Sequence, residues 1–534
     1  MHGPGKASTA NGGGEVVQVV PHGGVGEIGG NCIEVEAGRS RVLLDFGVPF
    51  GRYGAAFSDF LKPRKAAGMT DWLLSGVAPD LAGLYRQDYR GQSGARPEER
   101  RYDAVFVSHP HIDHLGLVPL LRPDVAIVSS PTAYAVARAI EETGGSFDQS
   151  DFTTFHQTFQ LRPSKQKGEA NEGKLVRAKG DDVARERPWH RADRHEMNGL
   201  TARLEAVDHS IHGARGIILE GEAQVAYSGD LRMHGRHREW TERFLQKAGG
   251  TDLLLVEGTN VRNEKKEKRG EASHLEDFKE LSEYTEPAVE SHIAERIAGD
   301  TGFVFVAYPQ RDLDRLETFV RVARKTGRKL CLSTKQAYLL DMVQAFASKA
   351  LDAPVTLTSD PDVCVYLPRK SWGLVENDDL RTTQPDQVAQ DYQTWERPYL
   401  SHASAVTRRD ILADPGKYLV FADIWNLTEL HDFAAADGKG LARPGGVYIN
   451  SKTEPFSEEM EQDRERLKWW LKRWGLREEG AHVSGHASTE ELLWMADQVG
   501  AKRIVPIHTE HPQHYADLLG PRAVVPELGK PIRL

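Results

Sequence analysis

Ser108-His109-Pro110-His111-Ile112-Asp113-His114-Leu115-Gly116 follows directly on the apolar run Ala104-Val105-Phe106-Val107 and places three imidazoles and a carboxylate within six residues. A buried strand leaving the core at Ser108 would hold these side chains on a short, stiff turn. His109 and His111 then share one side while Asp113 and His114 reach a second centre, so the spacing predicts a metal site with room for two ions. The plain alternative is a surface cluster of histidines, which the dense packing of His, His, Asp and His disfavours. One divalent ion polarises a phosphoryl or carbonyl oxygen, and a pair about 3.5–4 Å apart also generates and clamps a hydroxide. Hydrolysis is therefore the expected class of reaction.

At 534 residues the chain exceeds what one hydrophobic core usually supports, so two domains, or one domain with a large insertion, are expected. Apolar residues make up 39% and charged residues 27%, a polar but globular balance. The formal net charge of -10 argues against a general nucleic-acid coat protein, which binds by neutralising phosphates, and leaves room for a local basic groove. Cys32, Cys331 and Cys364 are far apart with no CxxC pair, which supports neither a disulfide framework nor a zinc knuckle and points to a cytoplasmic location. Met1 to Gly14 is rich in small residues without an apolar core, so it reads as a disordered N-terminus rather than a signal peptide or anchor. No apolar run approaches the ~20 residues that span a bilayer, and no membrane role is expected.

Glu15 to Phe46 reads as strands broken by glycine, and the Ile33/Val35 alternation predicts a half-buried antiparallel sheet. A helix at Leu115 to Leu121, a strand at Val125 to Val128 and a helix at Pro131 to Glu142 follow, Pro131 suiting a first helical turn. Phe57 to Glu98 reads as helix-rich, and the charged, glycine-punctuated stretch from Pro163 to Asn198 as a surface insertion. Strands resume at Leu204, Gly216, Val225 and Leu253. From about Val261 helices and strands alternate: the apolar run Phe303 to Ala307 precedes a helix from Arg311 to Lys325 that Gly327 ends, and Lys329 to Leu332 is the next strand. This predicts an inserted α/β domain with a mainly parallel sheet, which strands at Tyr418 to Ala422 and Gly446 to Asn450 would close. Glu458 to Trp474 is a helix with Leu467, Trp470, Leu471 and Trp474 on one face, so core packing is expected to account for its tryptophans ahead of base stacking.

Two metal ions need more ligands than the opening stretch holds. Three later strands end in suitable residues: Val207-Asp208-His209-Ser210-Ile211-His212, Tyr227-Ser228-Gly229-Asp230 and Ile504-Val505-Pro506-Ile507-His508. Each alone is more often a loop polar residue, but recurrence after four strands is hard to obtain by chance.

With these residues in view the chain resembles the metallo-β-lactamase superfamily, and within it the β-CASP nucleases, most of all ribonuclease J. The matching residues are Asp45 in Leu-Leu-Asp-Phe-Gly, the His109/His111/Asp113/His114 turn, His209, Asp230, Glu257 in Leu-Val-Glu-Gly-Thr, His486 in Ser484-Gly485-His486-Ala487-Ser488, and His508. His-Gly-Gly-Val-Gly-Glu-Ile-Gly near the start and Asp-His-Ser-Ile add to the likeness, which runs from about Glu15 to the end. It implies an αβ/βα sandwich (residues 15-260 and 479-534) with an inserted α/β β-CASP domain (261-478). One Zn2+ would be held by His109, His111 and His209 and a second by Asp113, His114 and His508, with Asp230 bridging. His212 competes with His209, and the His-Ser-Ile pattern favours His209. Asp45 would orient a ligand imidazole from behind. A metal-activated hydroxide would attack an RNA phosphodiester and leave a 5′-phosphate, with Asp113 essential to that centre. His486 would be the general acid oriented by Glu257, although Ser488 with Glu490-Glu491 also reads as a plain helix cap. Ser484, His486 and Ser488 would hold substrate phosphate.

The histidine at position 508 resembles the RNA-directed branch of the group, so single-stranded RNA is the expected partner and a DNA-directed nuclease the alternative. A second alternative, a small-molecule hydrolase of thioesters or lactams, does not need the insertion. A non-catalytic scaffold would have lost ligands that are all present here. Arg262, Lys265, Lys266, Lys268 and Arg269 could guide a strand to the cleft, or form a solvated face with their interspersed glutamates. Imidazole-rich ligation favours zinc, with manganese the other choice. Endonucleolytic or 5′-3′ exonucleolytic cutting, and a homo-oligomer, are left open.

Overall fold

The apolar strand ends that supply the candidate metal-ligating residues belong to two facing sheets. A computed structural model describes residues 17–534 except 59, 65–66, 91–95, 97, 145–154, 159–160, 164–174, 178–184, 263–284, 353, 355, 371–388, 437–440, 443–444 and 454–457. The N-terminal stretch and the basic run beyond Arg262 therefore lie outside the described residues. One sheet runs, edge to edge, through Trp189–Arg191, Ala126–Ser129, Ala104–Phe106, Ser40–Leu44, Cys32–Ala37, Gln18–Gly23 and Ile532–Arg533. The other runs through Arg194–Met197, Leu200–Ala206, Arg215–Glu220, Gln224–Tyr227, Leu253–Glu257 and Arg503–Ile507. Each is antiparallel where hairpins join its strands and parallel where helices intervene.

Alternation along the strands builds the core between them. Ile33, Val35, Val42, Leu44 and Phe106 of one sheet meet Leu204, Ile217, Leu219, Val225 and Leu255 of the other. The outer faces are covered too: Leu43 and Val105 pack under Val136 and Ile140 of the helix Pro131–Glu142, and Ile218 and Leu254 under the helices Arg238–Lys247 and Thr489–Val499. The layers are helix, sheet, sheet, helix, the αβ/βα sandwich of the metallo-β-lactamase fold. The half-buried sheet expected at Ile33/Val35 is thus covered on both faces. Its outward Glu34 is buried beneath Tyr102, whose hydroxyl donates to it at 2.6 Å.

The insertion carries a third, all-parallel sheet in the order Ala405–Val406, Val363–Tyr366, Lys329–Leu332, Tyr418–Phe421, Phe303–Ala307, Gly446–Asn450, Leu476–Gly480. Helices on both faces explain why its strands read as unbroken apolar runs. Asp312 caps the helix Leu313–Thr326 by accepting from the Arg315 N–H at 2.8 Å, and Gly327 closes it at φ 69. The strands at Tyr418 and Gly446 lie inside the sheet rather than closing it. Its edges are two strands that sequence reading passes over, the two-residue Ala405–Val406 and the charged Leu-Arg-Glu-Glu-Gly of Leu476–Gly480.

Other expectations are corrected. The helix placed at Leu115 to Leu121 is two turns, Ile112–Leu115 and a 3-10 turn Val118–Leu120, so Asp113 and His114 sit on a helix rather than before one. The stretch 57–98 holds, among the described residues, only the short helices Thr70–Leu74 and Gln87–Arg90, and earns its place by burying Trp72, Leu84, Tyr85 and Tyr89. The segment read as a surface insertion contributes Trp189–Arg191 and Arg194–Met197 as edge strands to both sandwich sheets. On the helix Glu458–Trp474, Leu467, Leu471 and Trp474 are core, but Trp469 is exposed.

A buried ion pair ties the insertion to the sandwich. Arg215 donates to Asp352 at 3.0 and 3.2 Å, and Thr132 donates to the same carboxylate at 2.9 Å. Asp352→Ala would leave the Arg215 charge buried and half-partnered, and is expected to lower the unfolding free energy by about 3–5 kcal/mol in denaturant titration.

Candidate metal centre

Asp45, at the end of the strand Ser40–Leu44, organises the pocket from behind. It is fully buried in the left-handed region at φ 59, a conformation that its short polar side chain tolerates. Its carboxylate accepts from the Ser108 N–H at 2.6 Å, the Ser108 hydroxyl at 2.7 Å and the Tyr227 hydroxyl, and faces His114 Nδ1 at 2.7 Å. His114 therefore donates from Nδ1 and turns the lone pair of Nε2 inward. With its proton given to Asp45, the Ser108 oxygen accepts from His109 Nδ1 at 3.0 Å, which leaves the lone pair of His109 on Nε2. His209 is set in the same way: its Nδ1 donates to the Gly485 carbonyl at 2.6 Å.

The inward nitrogens converge. His109 Nε2 lies 3.0 Å and His209 Nε2 3.2 Å from His111 Nδ1. A proton could bridge only one of these contacts, whereas a cation satisfies all three nitrogens. Asp230 Oδ2 stands 3.4 Å from His109 Nε2 and 3.1 Å from His114 Nε2, and Oδ1 is 3.8 Å from His508 Nδ1. Asp113 Oδ2 is 3.6 Å from His114 Nε2 and 3.7 Å from His508 Nε2.

Among the described residues three groups share Asp230, one with His109, His111 and His209, a second with Asp113, His114 and His508, and a third with Glu257 and His486, the ligand atoms of each within 4.8 Å of one another; the first two have the imidazole-rich donor sets of metal sites. His114 Nε2, both Asp230 oxygens and both His508 ring nitrogens are buried without a hydrogen-bond partner. Unpaired buried polar atoms are costly, and a cation would meet both Asp230 oxygens and the lone-pair nitrogen of each ring, so the residues present fit a pair of divalent ions. His212 lies outside both groups, its ring 6.3 Å from that of His237, so His209 is the one of the two that joins the pocket.

Electrostatics separates the two halves. Burial, reinforced by His114, holds His109 well below the usual imidazole range, and burial pushes His111 down to about 4. Both stay neutral and able to ligate. On the other side Asp230, Asp113 and Asp45 overcome burial and push His114 up, so that side favours added positive charge.

His486 approaches from the loop before the helix Thr489–Val499, its Nδ1 3.2 and 3.3 Å from the Glu257 oxygens and 3.9 Å from Asp230 Oδ2. Burial opposes its charge, but Glu257 and then Asp230 outweigh it and raise its pKa to about 9. Glu257, fully buried, also accepts from the Leu231 and Thr259 N–H groups, both at 3.1 Å. Ser484 Oγ accepts from the His486 N–H at 3.1 Å. Ser488 caps the helix, accepting from the Glu491 N–H at 3.2 Å, which leaves only its hydroxyl proton for a phosphate.

Several residues of the pocket went unnoticed in the sequence. Ser108, Gly485 and Tyr227 lie in stretches that supply candidate ligands or His486, but Asn31, just before the strand Cys32–Ala37, carries no local signal: it donates to Tyr227 at 2.9 Å and so completes the bed of Asp45. Gly47 is required because a Cβ there would sit 1.6 Å from the Asp113 carbonyl oxygen, while a Cβ at Gly485 would crowd the Ser210 side chain, at 2.7 Å from Oγ and 3.0 Å from Cβ.

Asp45→Asn keeps the left-handed turn but weakens the hold on His114, and is expected to reduce metal affinity about 10–100-fold, read by competition with a chromophoric chelator. Gly485→Ala pushes the carbonyl off His209 and is expected to fall in the same range, with the unfolding midpoint changed far less.

The family descriptions that match the chain are a Beta-lactamase superfamily domain over residues 72–292 and a Zn-dependent metallo-hydrolase RNA specificity domain over residues 476–526. A ribonuclease J of Pyrococcus abyssi is 23% identical over 525 residues, covering 94% of this chain and 92% of that protein. Shorter matches are to an RNase J-like protein of Methanocaldococcus jannaschii, 29% identical over 112 residues, and a ribonuclease J of Helicobacter pylori, 23% identical over 145 residues. These two span only 17% and 16% of the relatives' own length. A crystal structure of a protein of unknown function from Enterococcus faecalis shares the fold, with a TM-score of 0.65 at 21% identity over 97% of this chain and all of that one. With its sandwich, its Asp230-centred ligand groups and its inserted parallel sheet, the chain has the metallo-β-lactamase fold and is similar to the proteins named ribonuclease J.

Proposed function

We propose that the chain is a ribonuclease that hydrolyses phosphodiester bonds of single-stranded RNA in the cytoplasm and leaves 5′-phosphate ends. The observation that carries this is the joining of two things in one pocket: paired ligand groups sharing Asp230, and His486, on a loop of the matched RNA specificity domain, against Glu257 at the end of the strand Leu253–Glu257. The relatives named ribonuclease J support RNA as the substrate.

In this reading His109, His111 and His209 would hold one ion and Asp113, His114 and His508 the other, with Asp230 common to both groups. When bound, two Zn2+ or Mn2+ ions supply charge for the phosphoryl oxygens and lower the pKa of water. The remaining work belongs to the chain. Asp45, Ser108 and Gly485 keep the imidazoles in the ligating tautomer. Ser484 and Ser488 line the turn that receives phosphate beside a helix N-terminus. His486, kept protonated by Glu257, gives its proton to the departing 3′ oxygen. The inserted parallel sheet with its helices would form the roof that a polymer substrate needs.

Cleavage of 5′-triphosphate, 5′-monophosphate and 5′-hydroxyl RNAs and of single-stranded DNA by wild type and Asp113→Ala tests this reading. RNA cleavage abolished by the substitution is expected. Full activity of the variant would contradict the metal chemistry, a preference for DNA would contradict the substrate, and products that accumulate one nucleotide at a time from the 5′ end would assign the exonucleolytic mode. The acid role has a sign. A raised pKa keeps His486 protonated below that pKa, and activity is lost as pH rises through it. Glu257→Gln removes the largest cause of the rise, so the alkaline limb of the kcat profile is expected to move to lower pH, with kcat down about 10–100-fold at neutral pH.

A further inference from the structure

Arg232, two residues after Asp230, is fully buried yet spends its guanidinium on three separate parts of the chain. Nε donates to Asp208 at 3.0 Å, Nη1 to the Ser484 carbonyl at 2.9 Å, and Nη2 to Asp314. Asp208 precedes His209, Ser484 opens the loop of His486, and Asp314 lies on the helix Leu313–Thr326 of the inserted sheet. The Arg232 N–H also donates to the Asp208 carbonyl at 2.8 Å, so backbone and side chain hold the same point.

The surrounding contacts repeat this connection. His234 Nε2 lies 2.9 Å from the Ser484 carbonyl, and Arg236 donates to Glu290 at 2.8 Å and to Thr318 at 2.7 Å, both on helices of the insertion. From the other side Arg315 grips Glu286 at 2.6 and 3.0 Å and donates to the Val483 carbonyl at 3.3 Å. The Ala487 N–H closes the loop by donating to the Leu231 carbonyl at 2.8 Å. The loop carrying His486 is therefore fixed by groups that belong partly to the metal-bearing strand ends and partly to the insertion.

A guanidinium presents its donors in a rigid planar fork, so its three partners take up one relative geometry, which a lysine ammonium cannot impose. We propose that Arg232 is a positioning residue: together with Asp314 it makes the placement of the His486 loop over the metal centre depend on the seating of the inserted sheet. Arg232 touches no candidate ligand atom and no reacting group. Its effect passes through the Ser484 carbonyl to His486, and this rests on the proton-donor role proposed above.

The experiment compares wild type, Arg232→Lys, Asp314→Ala and the double variant in the metal-loaded protein, using 5′-monophosphorylated RNA together with hydrogen exchange. Both single variants are expected to lower kcat about tenfold or more with KM nearly unchanged, as for an interaction that counts at the transition state. Metal content is expected to stay at the wild-type value, and amide exchange to accelerate roughly tenfold in 482–487 while the sandwich strands keep their protection. The double variant is expected to lose little beyond the worse single one. Unchanged kcat, a loss that follows metal content, or exchange that rises throughout the chain would overturn the proposal. Should Arg232→Lys not fold, Asp314→Ala alone carries the comparison. A wild-type chain that cleaves no RNA contradicts the functional reading, and the exchange at 482–487, which needs no substrate, still decides the Arg232 link.

Discussion

Asp230 is buried with neither carboxylate oxygen hydrogen-bonded, at the point where two sets of imidazoles meet. A carboxylate so placed is a large debit to folding unless positive charge comes to it. The rest of the pocket makes sense as the means of delivering that charge in two places. Neutral nitrogens converge on one side, and a carboxylate-rich half with Asp113 and His114 stands on the other. Buried acceptors behind each ring decide which nitrogen looks inward. The sandwich exists, in this view, to bring four strand ends within a few ångströms of one carboxylate.

Much of this was legible because the candidate ligands sit where apolar strands run out. The strand Ala104–Phe106 ends just before Ser108, Leu200–Ala206 just before His209, Gln224–Tyr227 just before Asp230, and Arg503–Ile507 at His508. A largely apolar strand followed by a sudden imidazole or carboxylate is a local signal. The supports of the ligands carry no such signal. Tyr227 reads as an ordinary strand tyrosine until folding sets its hydroxyl against Asp45, 182 positions away in the chain.

The same division holds for the fold. Helices with strong caps, such as Leu313–Thr326 between Asp312 and Gly327, stand where their local chemistry puts them. Strands defined by pairing rather than by composition do not: Leu476–Gly480 is charged along most of its length and is a strand because Gly446–Asn450 offers it an open edge. Buried charge at the junction of insertion and sandwich was equally invisible, since Arg232, Asp314, Glu286 and Arg315 look like surface residues in sequence and are buried together only in three dimensions. Hydrophobic burial assembles the layers, and these ion pairs fix how the layers are seated.

X-ray absorption at the zinc edge on the zinc-loaded protein tests the central claim most directly. An imidazole-rich first shell at about 2.0–2.1 Å together with a metal scatterer about 3.5–4 Å away is the predicted result. A mononuclear spectrum at full loading, with no metal neighbour, would contradict the reading of Asp230 as the carboxylate shared by two ions.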